Sequence, residues 1–189
     1  MSKSAAKQNW NPDRLDIMAM AQAGGSLASE DPVSAYERLG AEVFAPDGQA
    51  LPSQVSWSAR AELRQGSGVQ VDPWLHLQAT VTIPLCCQRC LQPADVRLEV
   101  DRWFRFVADE ATAEAQDDEC EEDVLALEPR PRLRDLIEDE LLMVIPLVPM
   151  HEACPQTPPQ LVQASTEAEL PDEQPHPFAA LSGLKRGSD

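Results

Sequence analysis

The sequence predicts an α+β fold: an antiparallel β-meander, or partly open barrel, covered by a C-terminal amphipathic helix and short N-terminal helices. Two patterns predict it. Between residues 54 and 107, three stretches alternate apolar and polar side chains with the period of a half-buried strand. Between residues 132 and 146 the apolar positions take the period of a helix with one buried face. A third observation sets the boundaries, because acidic and proline-rich stretches fall outside both patterns. The expected organisation is a disordered N-terminus over 1–10 and a single domain over 11–154. That domain carries a mobile acidic loop at 108–123 and is followed by a proline-rich acidic tail over 155–189.

The first helix is expected in "NPDRLDIMAMAQAGG", with Asn11 capping, Pro12 at the first helical position and Gly24-Gly25 as the stop. A second is expected in "SEDPVSAYERLG", capped by Asp31, opened by Pro32 and closed by Gly40. Both are short and need a sheet to pack on. The first strand places Val55, Trp57, Ala59, Ala61 and Leu63 on one face. The second places Val69, Val71, Leu75, Leu77, Ala79, Val81 and Ile83 together, with Pro73 and Pro84 marking edge or irregular positions. The third buries Val96, Leu98, Val100, Phe104 and Phe106, and leaves Trp103 outward as the mark of a second covered surface. Short turns between these strands give a meander.

Residues 108–123 hold nine acids and no base, a block that repels itself and stays solvated. The helix at 132–145 buries Leu133, Leu136, Ile137, Leu141 and Val144, and Pro146 ends it. Glu140 interrupts that apolar stripe, so it either reaches water or has a partner. Glu138 and Asp139 read as ordinary acids on a wet helix face.

The bulk numbers narrow the function. A chain of 189 residues with 43% hydrophobic content buries a core without disulfide staples. The 17 prolines and the net charge of −17 argue that part of it stays unfolded. No run of about 18 apolar residues is present, so no membrane span is expected. The N-terminus lacks the apolar core of a secretory signal, so a cytoplasmic protein with reduced thiols is expected. An acidic chain repels phosphate backbones, and a basic protein is its easier partner. The plain alternative is that the acidity only keeps the chain soluble. Gly-rich phosphate loops, nucleophile elbows and His-Glu-x-x-His motifs are absent, so no enzyme is expected.

The chemistry-bearing residues are few. "LCCQRCLQP" holds Cys87-x-x-Cys90 between two strands, and "VPMHEACP" holds His151-x-x-Cys154 after the helix. Two short chelating pairs are the usual means of delivering four ligands to zinc. A single structural zinc on Cys87, Cys90, His151 and Cys154 therefore stands beside inert thiols in a packed turn. A redox pair fits worst, because such motifs open a helix and here a strand follows. Cys86 and Cys120 have no partner at chelate spacing. Cys86, pointing opposite to Cys87, is expected in the core.

With these residues in hand, the chain resembles the YceD family, the large ribosomal RNA subunit accumulation proteins. The resemblance runs from about residue 15 to residue 186. Its most specific parts are Cys-x-Arg-Cys at 87–90, Glu-Asp-Glu-Leu-Leu at 138–142, Pro-x-x-Pro-x-His at 146–151, Cys154, and Pro-Phe-Ala-x-Leu at 177–181. It implies a role in synthesis, processing or stability of 23S ribosomal RNA, in a family often encoded beside a small basic zinc-ribbon protein of the large subunit. It implies no enzymatic activity. The expectation is a non-enzymatic ribosome-biogenesis factor that binds a basic large-subunit protein or a pre-ribosomal particle. Glu138, Asp139, Glu140, Arg89 and Phe178 are candidate partner-binding residues. The alternatives are direct RNA contact through Arg89, Arg97, Arg102, Arg105 and the Arg130–Arg134 cluster, and a zinc-assisted nuclease using Glu140 or Glu152 as base.

Overall fold

The structure, a computed structural model, describes residues 10–46, 48, 53–65, 71–117, 120 and 122–155. The chain divides into two compact units, Met1–Cys154 and Pro155–Asp189, and the first holds every element below. Its centre is a five-stranded sheet in sequence order. The strands are β1 (Ser26–Pro32), β2 (Gln54–Gln65), β3 (Val71–Cys86), β4 (Pro93–Val107) and β5 (Asp123–Ala126). The first four pair antiparallel, which is the expected meander with one strand added at its start. β5 pairs parallel to β4, so the sheet is mixed. The helices are α1 (Ile17–Ala23), α2 (Glu37–Glu42), α3 (Glu110–Asp117) and α4 (Leu133–Met143).

The alternating residues face one core. Val55, Trp57, Ala59 and Ala61 of β2 meet Leu75 to Ile83 of β3 and Leu98 to Phe106 of β4, all against α1 and α4. Leu133, Ile137 and Leu141 of α4 are fully enclosed, each contributing about 1.5–3 kcal/mol by burial. Val144, expected on that face, is exposed because the helix stops at Met143. Leu63 near the end of β2 and Val71 at the start of β3 are likewise exposed, and Val69 lies outside the described residues. β3 is the central strand, yet its two prolines break no ladder. Pro73 pairs with Leu63 of β2, beyond the last β4 pairing at Trp74. Pro84 pairs with Asp95 of β4, beyond the start of β2. Each sits where the strand is locally an edge.

Both N-terminal helix expectations need correction. α1 starts at Ile17, capped by the Asp16 carboxylate accepting from the Ala19 N–H, while Asn11 only closes a local turn on the Asp13 N–H. Gly24, at φ 58°, supplies the left-handed stop. "SEDP" opens only a single 3-10 turn, Val33–Ala35, which has no side-chain cap: its own residues are the end of edge strand β1, and Gly40 lies inside α2 rather than after it. Asp31 does not cap. It is buried, and accepts from Trp57 Nε1 at 2.8 Å, Tyr36 Oη at 3.2 Å and Arg134 Nε at 3.3 Å. Burial alone would raise its pKa, but these donors hold it below the ordinary carboxylate range. With Ser29 Oγ also donating at 3.2 Å, this buried carboxylate has four donors, more than a cap would supply.

The acidic segment at 108–123 is also not all loop. It forms α3, which caps itself through Asp109 accepting from Thr112, and then leads into β5. α3 and β5 cover the outer side of β4 in a small second core of Val107, Ala113 and Val124. A second outward cluster lies on the open sheet face. Trp103 stacks on His76 at 4.4 Å, meets Trp74 edge-on at 6.4 Å, and carries the Arg64 guanidinium 3.7 Å from its ring centre.

Candidate metal centre

The β3–β4 connection is a tight knuckle. The Cys87 N–H donates to Gln92 O at 3.0 Å and the Leu91 N–H donates back to Cys87 O at 2.8 Å. Leu91 takes φ 60°, which reverses the chain within this short span. After α4 the chain runs back past this knuckle, and the Gln88 N–H donates to Pro149 O at 2.9 Å. That single backbone bond joins two segments about 60 residues apart in sequence.

The result is convergence. The ligand atoms of Cys87, Cys90, His151 and Cys154 all lie within 4.8 Å of one another. Cys87 Sγ and Cys154 Sγ are 3.9 Å apart, and Cys90 Sγ is 3.5 Å from His151 Nδ1. A zinc tetrahedron with Zn–S of about 2.3 Å and Zn–N of about 2.0–2.1 Å has edges of about 3.8 Å and about 3.5 Å. The other ring nitrogen of His151 has its own partner, since Nε2 donates to Pro93 O at 2.9 Å. That bond leaves Nδ1, the nitrogen facing the sulfurs, as the one with a free lone pair.

The electrostatics fit the same use. Burial raises the Cys87 thiol, but the backbone N–H groups of Cys90, His151 and Arg89 bring it down to about 5. Cys87 is therefore a thiolate near neutrality, the form that binds metal. Burial raises Cys154, and the Cys90 and Cys87 sulfurs beside it raise it further. A thiolate at Cys87 thus opposes a second at Cys154, and a divalent cation relieves that opposition. The residues present fit a Cys3His metal site.

The other candidate residues separate by environment. Arg89 is exposed in the knuckle with its guanidinium 3.9 Å from Met150 Sδ. Leu91 in the knuckle, Met143 at the end of α4, and Leu147, Val148 and Met150 after it also expose apolar surface. Glu138, expected on a wet face, is only 7% exposed. It accepts the Arg38 and Leu39 backbone N–H groups at 2.7 and 3.1 Å and the Arg38 Nε at 2.9 Å. α2 has no side-chain cap of its own, so Glu138 caps it from another helix. Asp139 shares the same guanidinium at 2.6 Å. Glu140 is 8% exposed and pairs with Arg102 at 3.2 Å, so of the two readings of this residue the partnered one holds. Burial raises the Glu140 pKa, and the Arg102 charge only partly offsets this. Cys86, expected in the core, is half-buried at the strand end, because the register turns its neighbour Cys87 inward instead. Cys120 accepts from Arg105 at 3.1 Å. Phe178 lies outside the described residues.

An α+β domain whose knuckle gathers three cysteines and one histidine is the class of protein that fold and site define. The family model described as "Large ribosomal RNA subunit accumulation protein YceD" matches residues 75–185, more than half of the chain and the whole Cys3His cluster. The chain belongs to that family. A relative from Haemophilus influenzae with the same description is 32% identical over 108 residues, covering 56% of this chain and 62% of the relative. The match thus spans less than two thirds of that relative. No solved structure matches.

Proposed function

We propose that this chain is a non-enzymatic cytoplasmic factor in the accumulation of large-subunit ribosomal RNA. It acts by binding a basic protein of the large subunit, and its Cys3His cluster holds one structural zinc. The process rests on the family. The preference for a protein partner rests on one observation, the state of the arginines. Of the seven that would present an RNA surface, five are tied to carboxylates: Arg97 to Glu99, Arg102 to Asp123 and Glu140, Arg105 to Glu122, Arg132 to Asp135, and Arg134 to Asp13 and Asp31. Neutralised guanidinium groups release no counterions from a phosphate backbone. The net charge of −17 then favours a cationic partner.

The zinc is structural in this reading because four protein ligands complete its shell and leave no position for a reacting water. Its work is to hold residues 146–154 against the β3–β4 knuckle. The test of the partner is retention of purified large-subunit proteins on the immobilised chain. Retention that survives RNase and weakens with salt is expected, and retention abolished by RNase refutes the reading.

One observation favours a second reading, direct RNA contact: Trp74, His76 and Trp103 with Arg64 make an aromatic and basic patch on the open sheet face. Both Arg60 and Arg64 are drawn to Glu62, which weakens it. Filter binding of 23S fragments to the pure protein at physiological salt separates the two readings.

A further inference from the structure

We infer that the cleft between α4, β5 and the chain leading into α1 takes a cationic segment of the partner protein. One apolar side chain fills its floor and Lys or Arg side chains lie along its rim. This rests on the basic-partner reading above and gives it a surface. The cleft encloses about 350 Å³, within the range of built ligand sites. Its accessible floor is apolar: the half-buried Leu125, Ala126, Pro131 and Leu136 line it, over the buried Leu75, Phe106 and Leu133 of the core. Its walls are fixed by backbone bonds, Leu15 N–H to Pro131 O at 3.0 Å and Leu133 N–H to Pro12 O at 2.7 Å. A peptide entering it therefore meets a preformed surface.

The rim decides what enters. Four carboxylates line the cleft, Glu110, Glu128, Asp135 and Asp139, against one guanidinium, Arg132. Arg132 is 3.5 Å from Asp135 and Asp139 holds Arg38, so those charges are partly spent. Glu110 and Glu128 are exposed and have no ion-pair partner among the described residues. They stand on separate elements, α3 and the loop before α4, and both line the cleft. RNA is repelled by such a rim, and a second copy of this chain would bring the same charges to it. A Lys or Arg side chain suits it in two ways, laying its methylene stem on the floor and its head between the carboxylates. The Glu138 and Glu140 carboxylates cannot serve this role, since both are committed inside the fold.

The test uses the full chain and a short fluorescent peptide that repeats Lys and Leu in helical register. Matched probes replace Leu by Ser or Lys by Gln. The Lys/Leu peptide is expected to bind, and the double variant Glu110→Gln/Glu128→Gln to weaken it about tenfold. Both matched probes are expected to bind less, and Glu30→Gln/Asp95→Gln, which removes two exposed acids elsewhere, to leave affinity unchanged. Wild-type affinity in the rim variant, or equal binding of the Ser probe, overturns the cleft. A second arm adds purified, RNA-free large-subunit proteins. Loss of a retained basic protein in the rim variant supports the inference. Equal retention by both chains overturns the cleft and leaves the basic-partner reading standing. No retention by the wild type overturns that reading, while rim-dependent peptide binding still upholds the cleft.

Discussion

Glu138→Ala tests the way this fold is fastened. The carboxylate receives the Arg38 and Leu39 backbone N–H groups at the start of α2. Hydrogen bonds to a charged group contribute about 1.5–3 kcal/mol each, and an orphaned buried N–H costs about 1–3 kcal/mol. Leu39 is 0% exposed, so water cannot replace the lost acceptor at its N–H, whereas the Arg38 N–H is only part-buried. The variant is therefore expected to lose about 3 kcal/mol, which lowers Tm by about 6–12 °C for a domain of this size. Glu138→Gln keeps one acceptor oxygen and is expected to lose about half as much. Arg38→Ala is expected to lose less than either, because the Arg38 side chain is 54% exposed. Urea unfolding gives the energies, and exchange of the Leu39 amide locates the effect. The pH dependence carries the same sign. Burial raises the Glu138 pKa, but the Leu39 and Arg38 donors outweigh it and leave the folded value below the ordinary one. Its contribution is present above the unfolded pKa of about 4.5 and is lost as pH falls through the lower folded value. Glu138→Gln should flatten that acid limb. A loss under about 1 kcal/mol for Glu138→Ala, or a full loss from Arg38→Ala, refutes the cap.

Three further expectations follow from the same geometry. Protein purified without added metal should carry one zinc per chain, and Cys90→Ser should lose both the zinc and several degrees of Tm, as elemental analysis and calorimetry will show. Removing Arg102 should cost about 2 kcal/mol near pH 7, because Glu140 stays buried without its partner. The Glu140 folded pKa is raised by burial, so the loss should shrink as pH falls and the group takes up its proton, and a pH series of unfolding curves checks the sign. Gly25→Ala places a methyl group 2.5 Å from Trp10 Nε1 and 2.9 Å from Met20 Cγ, and is expected to cost about 1–3 kcal/mol and to change Trp emission.

The parts of this fold that follow from period were visible in the sequence. Alternation from Val55 to Phe106 gave the three long strands, and the spacing of Leu133, Ile137 and Leu141 gave α4. The two chelating pairs suggested a four-ligand site, though nothing local to either pair requires them to meet. What failed was local rule against tertiary context. Asp31-Pro32 has the chemistry of a helix start, but edge pairing with β2 and the Trp57 indole recruited it as a buried acceptor. Nine acids in one block suggested solvation, but α3 needs only Val107, Ala113 and Val124 to hold it.

One long-range contact was nonetheless written in the patterns. Glu140 breaks the apolar face of α4. Arg102 breaks the apolar face of β4, since Val100, Phe104 and Phe106 share its parity. Each break alone is an unexplained cost, a charge placed toward the core. Opposite in sign and on elements that pack together, the two breaks predict each other, and the structure joins them at 3.2 Å. The same reasoning assigns the remaining acids. A carboxylate on a face the fold buries has found a donor, as Asp31, Glu138 and Glu140 have. Glu110 and Glu128 have found none among the described residues and frame an apolar cleft, so their charge remains for another molecule.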